Sequence, residues 1–176
     1  MKNFFSKILL SFILVVCITS FNYAKDQPKG ITLTKENDGY RVDFDLPYYN
    51  MSNVLATGNN YTNLTIPQYG QPTDVGLPNL PQISFSLMIA YDEQIPTINI
   101  LNQIKDLQIL SNKSYPVQQP WSKNLRLEDR PFTIDTKYYQ SNGNINGPFV
   151  KVSEPFIIAG VKGVMITVCP FNYNPS

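Results

Sequence analysis

Tyr40-Arg41-Val42-Asp43-Phe44-Asp45-Leu46 sets an apolar side chain at every second position, with charged ones between. Period two is the mark of a strand with one face buried, because successive side chains leave a pleated backbone on opposite sides. Just ahead stands Asn37-Asp38-Gly39, a turn signal whose glycine accepts the positive φ of tight hairpin turns. The spacing predicts a hairpin of Ile31–Leu33 with Tyr40–Leu46.

Outward from this hairpin the chain keeps a β character. Met51–Pro67 is polar, with short edge strands expected near Asn53–Ala56 and Asn63–Ile66 and a turn at Gly58-Asn59-Asn60. Tyr69–Pro81 carries Gly70, Pro72, Gly76, Pro78 and Pro81, so many fixed φ angles that it reads as an ordered loop. Ile83–Tyr91 alternates Ile83, Phe85, Leu87 and Ile89 against Ser84, Ser86, Met88 and Ala90, a buried strand closed by Asp92-Glu93-Gln94. Thr97–Leu101 is expected to return as a strand and then give way to loop, although Ile98, Leu101, Ile104 and Leu107 also fit a loose helical spacing. Tyr115–Pro131 is a second proline-rich loop holding Pro116, Pro120 and Trp121. Asn142-Gly143 and Asn146-Gly147 signal turns before a strand at Phe149–Val152. Val161–Val168 reads as a strand buried on both faces, central in its sheet or covered by a partner. These elements predict an all-β chain: a single antiparallel β-sandwich, jelly-roll-like, of about 8 to 10 short strands.

The N-terminus has its own pattern. Lys2 and Lys7 precede an apolar run from Ile8 to Ile18, then small or polar residues up to Ala24. That is the layout of a secretory signal over residues 1–24, leaving 25–176 as the mature domain. A membrane anchor is the alternative, but the run is short for a span of roughly 20 apolar residues. Val16 before Cys17 is too bulky for a lipidation site. Losing Lys2 and Lys7 takes the 14 basic residues to 12 against 13 acidic ones. The slightly negative balance, with no basic cluster, excludes a nucleic-acid partner. Only Cys169 survives cleavage, so no internal disulfide staples the domain, and it stands on its apolar core.

The chemistry is as informative for what is missing. The sequence contains no histidine, which removes the commonest general base near neutral pH and the commonest metal ligand. Cys169, between Val168 and Pro170, has no base to activate it. Ser111, Lys113, Ser122 and Lys123 sit in polar loops and read as solvated. Asp43 and Asp45 share a strand face, and Asp92 and Glu93 a turn. Such pairs serve calcium or glycoside chemistry in other settings, but here they read as a charged strand face and a charged turn. No catalytic residue, metal or cofactor is expected. Loop aromatics, among them Tyr48, Tyr49, Tyr61, Tyr69, Tyr115, Trp121, Tyr138 and Tyr139, fit either recognition anchors or covers for the ends of the sandwich. Arg126 and Arg130, with Lys123 beside them, are basic side chains carried on the long loop and suited to an acidic pocket of a partner.

Two motifs carry a family resemblance. Gly76-Leu77-Pro78-Asn79-Leu80-Pro81, followed by the apolar strand Ile83–Tyr91, resembles the signature of gingipain-type propeptides. About 90 residues on, Gly160 and Gly163 flank Val161-Lys162 ahead of an alternating strand and Pro170-Phe171-Asn172-Tyr173-Asn174-Pro175, as at the end of that family's pattern. Ala159-Gly160 replaces the family's usual arginine-glycine, which puts local packing there in doubt. The resemblance implies a β-sandwich prodomain of a secreted gingipain-class cysteine peptidase, assisting folding and blocking the active site until cleaved. Its partner would be the catalytic domain, in cis or in trans, with no transmembrane anchor after signal cleavage. In arginine-specific members a basic prodomain residue enters the substrate pocket, and the resemblance carries that role to Arg126 or Arg130, and next to Lys123. Ser176 falls where relatives run on into the catalytic domain, so the chain is either a piece of a longer precursor or a freestanding module. An extracellular binding or adhesion module on the same fold is the alternative function.

Overall fold

The computed structural model describes residues 30–37, 39–126, 129–141 and 147–175. The signal segment with Cys17, Asp38 of the first turn, the Asn142-Gly143 signal, Asn146, Leu127, Glu128 and Ser176 lie outside the described residues. Nine strands and one short helix make up the regular structure among them: β1 (Ile31–Glu36), β2 (Gly39–Phe44), β3 (Asn50–Ala56), β4 (Asn59–Thr65), β5 (Ile83–Met88), β6 (Lys113–Ser114), α1 (Thr136–Tyr139), β7 (Val150–Val152), β8 (Phe156–Ile158) and β9 (Val161–Val168).

The expected hairpin forms, β1 antiparallel to β2 from Ile31 opposite Phe44 to Glu36 opposite Gly39. The second hairpin, β3 with β4, closes through Thr57 and Gly58, both at positive φ, which matches the right-handed twist of the strands they join. β5 pairs with β9, and β9 pairs on its other edge with β7 and β8, so β9 is the central strand its apolar run suggested. β6 lies parallel to β4, through Tyr61 opposite Lys113 and Thr62 opposite Ser114.

The result is all-β but differs from the simplest sandwich. There are three sheets, of orders β1-β2, β3-β4-β6 and β5-β9-β7 with β8 on β9, and one pairing is parallel. The hairpin sheet packs on the β5-β9-β7 sheet: Ile31 joins Ile83 and Val168 with Ile66, and Leu33 lies on Leu87, Val164 and Ile166. Ile83 and Val164 are fully enclosed, and burying each such side chain contributes about 1.5–3 kcal/mol.

Three expectations need correction. β9 is fully buried on its Val164–Ile166–Val168 face and only in part on the other, where Gly163 is buried and Thr167 half-buried but Met165 is 43% exposed. Tyr40, Val42 and Leu46 are each more than a third exposed, so the opening hairpin buries mainly Phe44 and the β1 residues Ile31 and Leu33. The segment after Gln94 forms neither a returning strand nor a helix. Ile104, Leu107 and Ile109 are at least 90% exposed, because no strand among the described residues supplies the ladder that would hold them. At the Ala159-Gly160 departure the β8–β9 turn closes normally, with both residues exposed and at positive φ.

Candidate functional site

The Tyr115–Pro131 loop, described apart from Leu127 and Glu128, is tied to the rest of the domain at several points. Its first leg lies against the Gly76–Pro81 motif. Gly76 N donates to Val117 O at 2.9 Å, Val117 N to Leu77 O at 2.8 Å and Asn79 N to Tyr115 O at 2.8 Å. Pro78 bridges Pro116, while Pro81 and Pro116 are fully buried. The segment beyond the loop returns to the same platform, where Asp135 N donates to Gly76 O at 3.0 Å. Gly76 has φ +87° and is packed so closely that a Cβ would stand 3.0 Å from Asp135 N. Only glycine meets both demands without strain. The proline-rich motif is thus the shelf that carries the loop.

A tyrosine cage closes the other side. Asp135 caps α1 by accepting from Tyr138 N at 2.9 Å. The helix turns Tyr138 and Tyr139 inward, 7% and 3% exposed. Tyr139 Oη donates to Ser114 O at 2.8 Å, Tyr138 Oη donates to Tyr173 O at 3.1 Å, and Tyr173 Oη accepts from Ser114 N at 3.2 Å. The closing motif Pro170–Pro175 therefore locks onto the start of the loop. Burial holds the phenols of Tyr138, Tyr139 and Tyr173 above the ordinary tyrosine value, Tyr139 most; the charge of Tyr173 adds to the shift of Tyr138 and Tyr139, while the Ser114 N–H donated to Tyr173 partly offsets its own. Tyr61, Tyr115 and Phe132 stack beside them with centroids 5.4 to 6.1 Å apart. These aromatics fill the interior, as covers rather than exposed recognition anchors. Trp121 is half-buried, and Tyr48 is the strongly exposed exception among those singled out.

At the tip the three basic residues are treated differently. Lys123 is exposed in a turn in which Leu125 N donates to Ser122 O at 3.0 Å. The Arg126 side chain is 73% exposed and is steadied by Asp129, Nε to Oδ2 at 2.9 Å. Arg130 is half-buried and folds back, Nη2 donating to Leu125 O at 3.4 Å, with its Nε enclosed and without an acceptor among the described residues. Of the two arginines, Arg126 is the one displayed and Arg130 the one used internally.

The remaining polar groups have structural partners. Asp43 accepts from Arg41 Nε and Nη2 at 2.9 to 3.1 Å on the open hairpin face. Glu93 Oε2 accepts from Ala90 N at 3.1 Å, and Lys162 Nζ donates to the carbonyls of Tyr91 and Glu93. Cys169 is half-buried, and burial raises its thiol pKa, which lowers its thiolate fraction. No group of three metal-ligating side chains occurs among the described residues. No helix among them is long and apolar enough to cross a membrane.

The fold and the two motifs define a propeptide domain rather than an enzyme, and comparison with known proteins agrees. The model of the Propeptide_C25 family matches residues 22–176, and the chain belongs to that family. The structure is similar to the complex of Porphyromonas gingivalis RgpB pro- and mature domains, with TM-score 0.72, 19% identity, and 85% of this chain and 77% of that chain covered. It is also similar to the structure of zymogenic latency of gingipain K from Porphyromonas gingivalis, with TM-score 0.66, 22% identity and 85% of each chain covered. A comparison with curated proteins gives no significant match. The chain is therefore a non-catalytic propeptide-type domain, and family membership implies an extracellular setting.

Sequence reading found the loop and its basic residues but missed what holds them. Gln118 and the Tyr138–Tyr139–Tyr173 cage drew no attention as a unit, because their partners lie far apart in the chain. The repeated tyrosines at 138 and 139, four residues after an apolar-alternating piece, were the available signal.

Proposed function

We propose that this domain holds a gingipain-class cysteine peptidase latent by offering Arg126 to the substrate pocket, and assists folding of that catalytic domain in cis or in trans. The observation that supports this is the contrast at the loop tip. Arg126 is 73% exposed at the loop tip and is held there by Asp129, whereas Arg130 is half-buried and donates to the Leu125 carbonyl. A displayed guanidinium suits a carboxylate at the floor of a basic-specific pocket, through forked, charge-assisted hydrogen bonds. The pinned ends of the loop, at residues 115–118 and 133–135, lower the ordering cost of binding. Lys123 lies on the same tip and is the next candidate. Residues 1–24 act as the export signal, with the mature chain starting at Lys25. The hairpin packed on β5-β9-β7 forms the two leaves of a jelly-roll-like sandwich, and β3-β4-β6 extends it.

The test is inhibition of a mature arginine-specific gingipain-class peptidase by the purified chain. Truncating one partner of a desolvated charge pair costs about 2–5 kcal/mol. Arg126→Ala should therefore raise the inhibition constant roughly 30-fold or more, while Arg130→Ala should act mainly through loop stability. Equal inhibition by wild type and Arg126→Ala would remove Arg126 from the pocket.

A further inference from the structure

We propose that Gln118 is a positioning residue that makes the Arg126 loop an inhibitor rather than a substrate; this rests on the prodomain reading above. The two legs of the loop come together at Gln118 and Thr133, where no strand pairing among the described residues joins them. The Gln118 side chain supplies the missing connection. Its Oε1 accepts from Thr133 N at 2.9 Å, and its Nε2 donates to Thr133 O at 2.8 Å. The pair reproduces, with one side-chain amide, the two-bond exchange by which opposite residues of an antiparallel ladder hold each other. The same Nε2 also reaches Pro116 O at 3.0 Å and Val117 O at 3.3 Å, so the amide is anchored to its own leg as well. The orientation of the amide is fixed, because Thr133 N can only donate and Thr133 O can only accept.

The neck matters because a peptidase meets the loop as it would meet a peptide. A basic side chain in the pocket places the next peptide bond near the nucleophile. A loose, exposed loop is cut readily. A loop whose ends are pinned resists the rearrangement that cleavage needs and keeps its ordering cost low. Beside the neck, Phe132 packs on Tyr61 and Tyr115, so the second leg has an apolar anchor independent of Gln118. Removing the glutamine should therefore free the loop without unfolding the domain.

The experiment compares wild type, Gln118→Ala and Gln118→Glu in the full chain. The peptidase is a mature arginine-specific member of the gingipain class, and intact mass is followed over time. The glutamate keeps the acceptor for Thr133 N and loses the donor to Thr133 O. Gln118→Ala is expected to weaken inhibition about tenfold and to be cut within the loop at Arg126 at least tenfold faster, and Gln118→Glu to be no better than Gln118→Ala, because its second carboxylate oxygen would face the carbonyls of Thr133, Pro116 and Val117 with no proton to donate. Hydrogen exchange should rise in peptides covering 119–132 and stay unchanged in β5 and β9. Unchanged exchange at 119–132, or wild-type inhibition and cleavage rates in Gln118→Ala, would overturn the role of Gln118 while leaving the prodomain reading intact. A wild-type chain that fails to inhibit would overturn that reading and this inference with it, even where exchange shows the neck to be real.

Discussion

Replacing Gly76 by alanine tests whether the proline-rich motif is a structural shelf. Two costs add at this position. The residue sits at φ +87°, and an L side chain in left-handed backbone costs roughly 1–2 kcal/mol. The new Cβ would also stand 3.0 Å from Asp135 N and 3.5 Å from the Ile134 carbonyl carbon, both backbone atoms that cannot swing aside. Moving that strand of chain lengthens the 3.0 Å bond from Asp135 N to Gly76 O, a loss of about 1 kcal/mol. The sum is about 2–3 kcal/mol, which for a domain of this size lowers the melting temperature by roughly 4–12 °C. Gly58 provides the comparison. It has φ +77° with nothing within 4 Å of a built Cβ, so Gly58→Ala carries the strain without the clash. Urea unfolding of both variants, followed by tyrosine fluorescence, should give Gly76→Ala the larger loss by at least about 1 kcal/mol. Equal losses would refute the close approach of the two backbones, and with it the idea that this motif carries the loop.

Ile83→Ala, at a site with no solvent exposure in the cluster shared by both packed sheets, should destabilise by about 2–5 kcal/mol in the same urea titration. The tyrosine cage makes stability fall at alkaline pH. The folded pKa values of Tyr138, Tyr139 and Tyr173 are raised above the unfolded value, so their stabilisation is complete below about pH 10 and is lost as pH rises toward the folded values. Denaturant midpoints measured from pH 8 to 11 should decline above about pH 10, and Tyr139→Phe should flatten that decline.

Much of the fold was legible because it rests on local patterns. The hairpin of β1 and β2, the Ile83 strand and the central β9 all declared themselves by alternation. The ordered character of Tyr69–Pro81 followed from its prolines and glycines. What failed were statements about partners. Thr97–Leu101 has strand chemistry, but a strand exists only if another edge receives it, and none does among the described residues. Tyr40 looks like a core residue by alternation and Met165 by the apolar run it sits in, yet neither pattern says that a second layer covers the face. The parallel β4–β6 pairing joins residues about 50 apart and could not be read locally.

The candidate site shows the same division more sharply. Composition made Arg126 and Arg130 equivalent, two arginines four residues apart on one polar loop. They are separated by where each guanidinium finds its acceptor: Arg126 on Asp129, near the surface, and Arg130 on the carbonyl of Leu125. That difference depends on a loop held by groups from four distant places: Gly76 and Asn79 of the first motif, Gln118 at the neck, Tyr138 and Tyr139 of α1, and Tyr173 of the closing motif. The two motifs that carry the family resemblance therefore act on the same loop. Gly76 receives both of its legs, and Tyr173 fixes its start through Ser114. A sequence signature of this domain marks the residues that shape the loop, while Arg126, the residue proposed to enter the partner's pocket, lies between them and outside either motif.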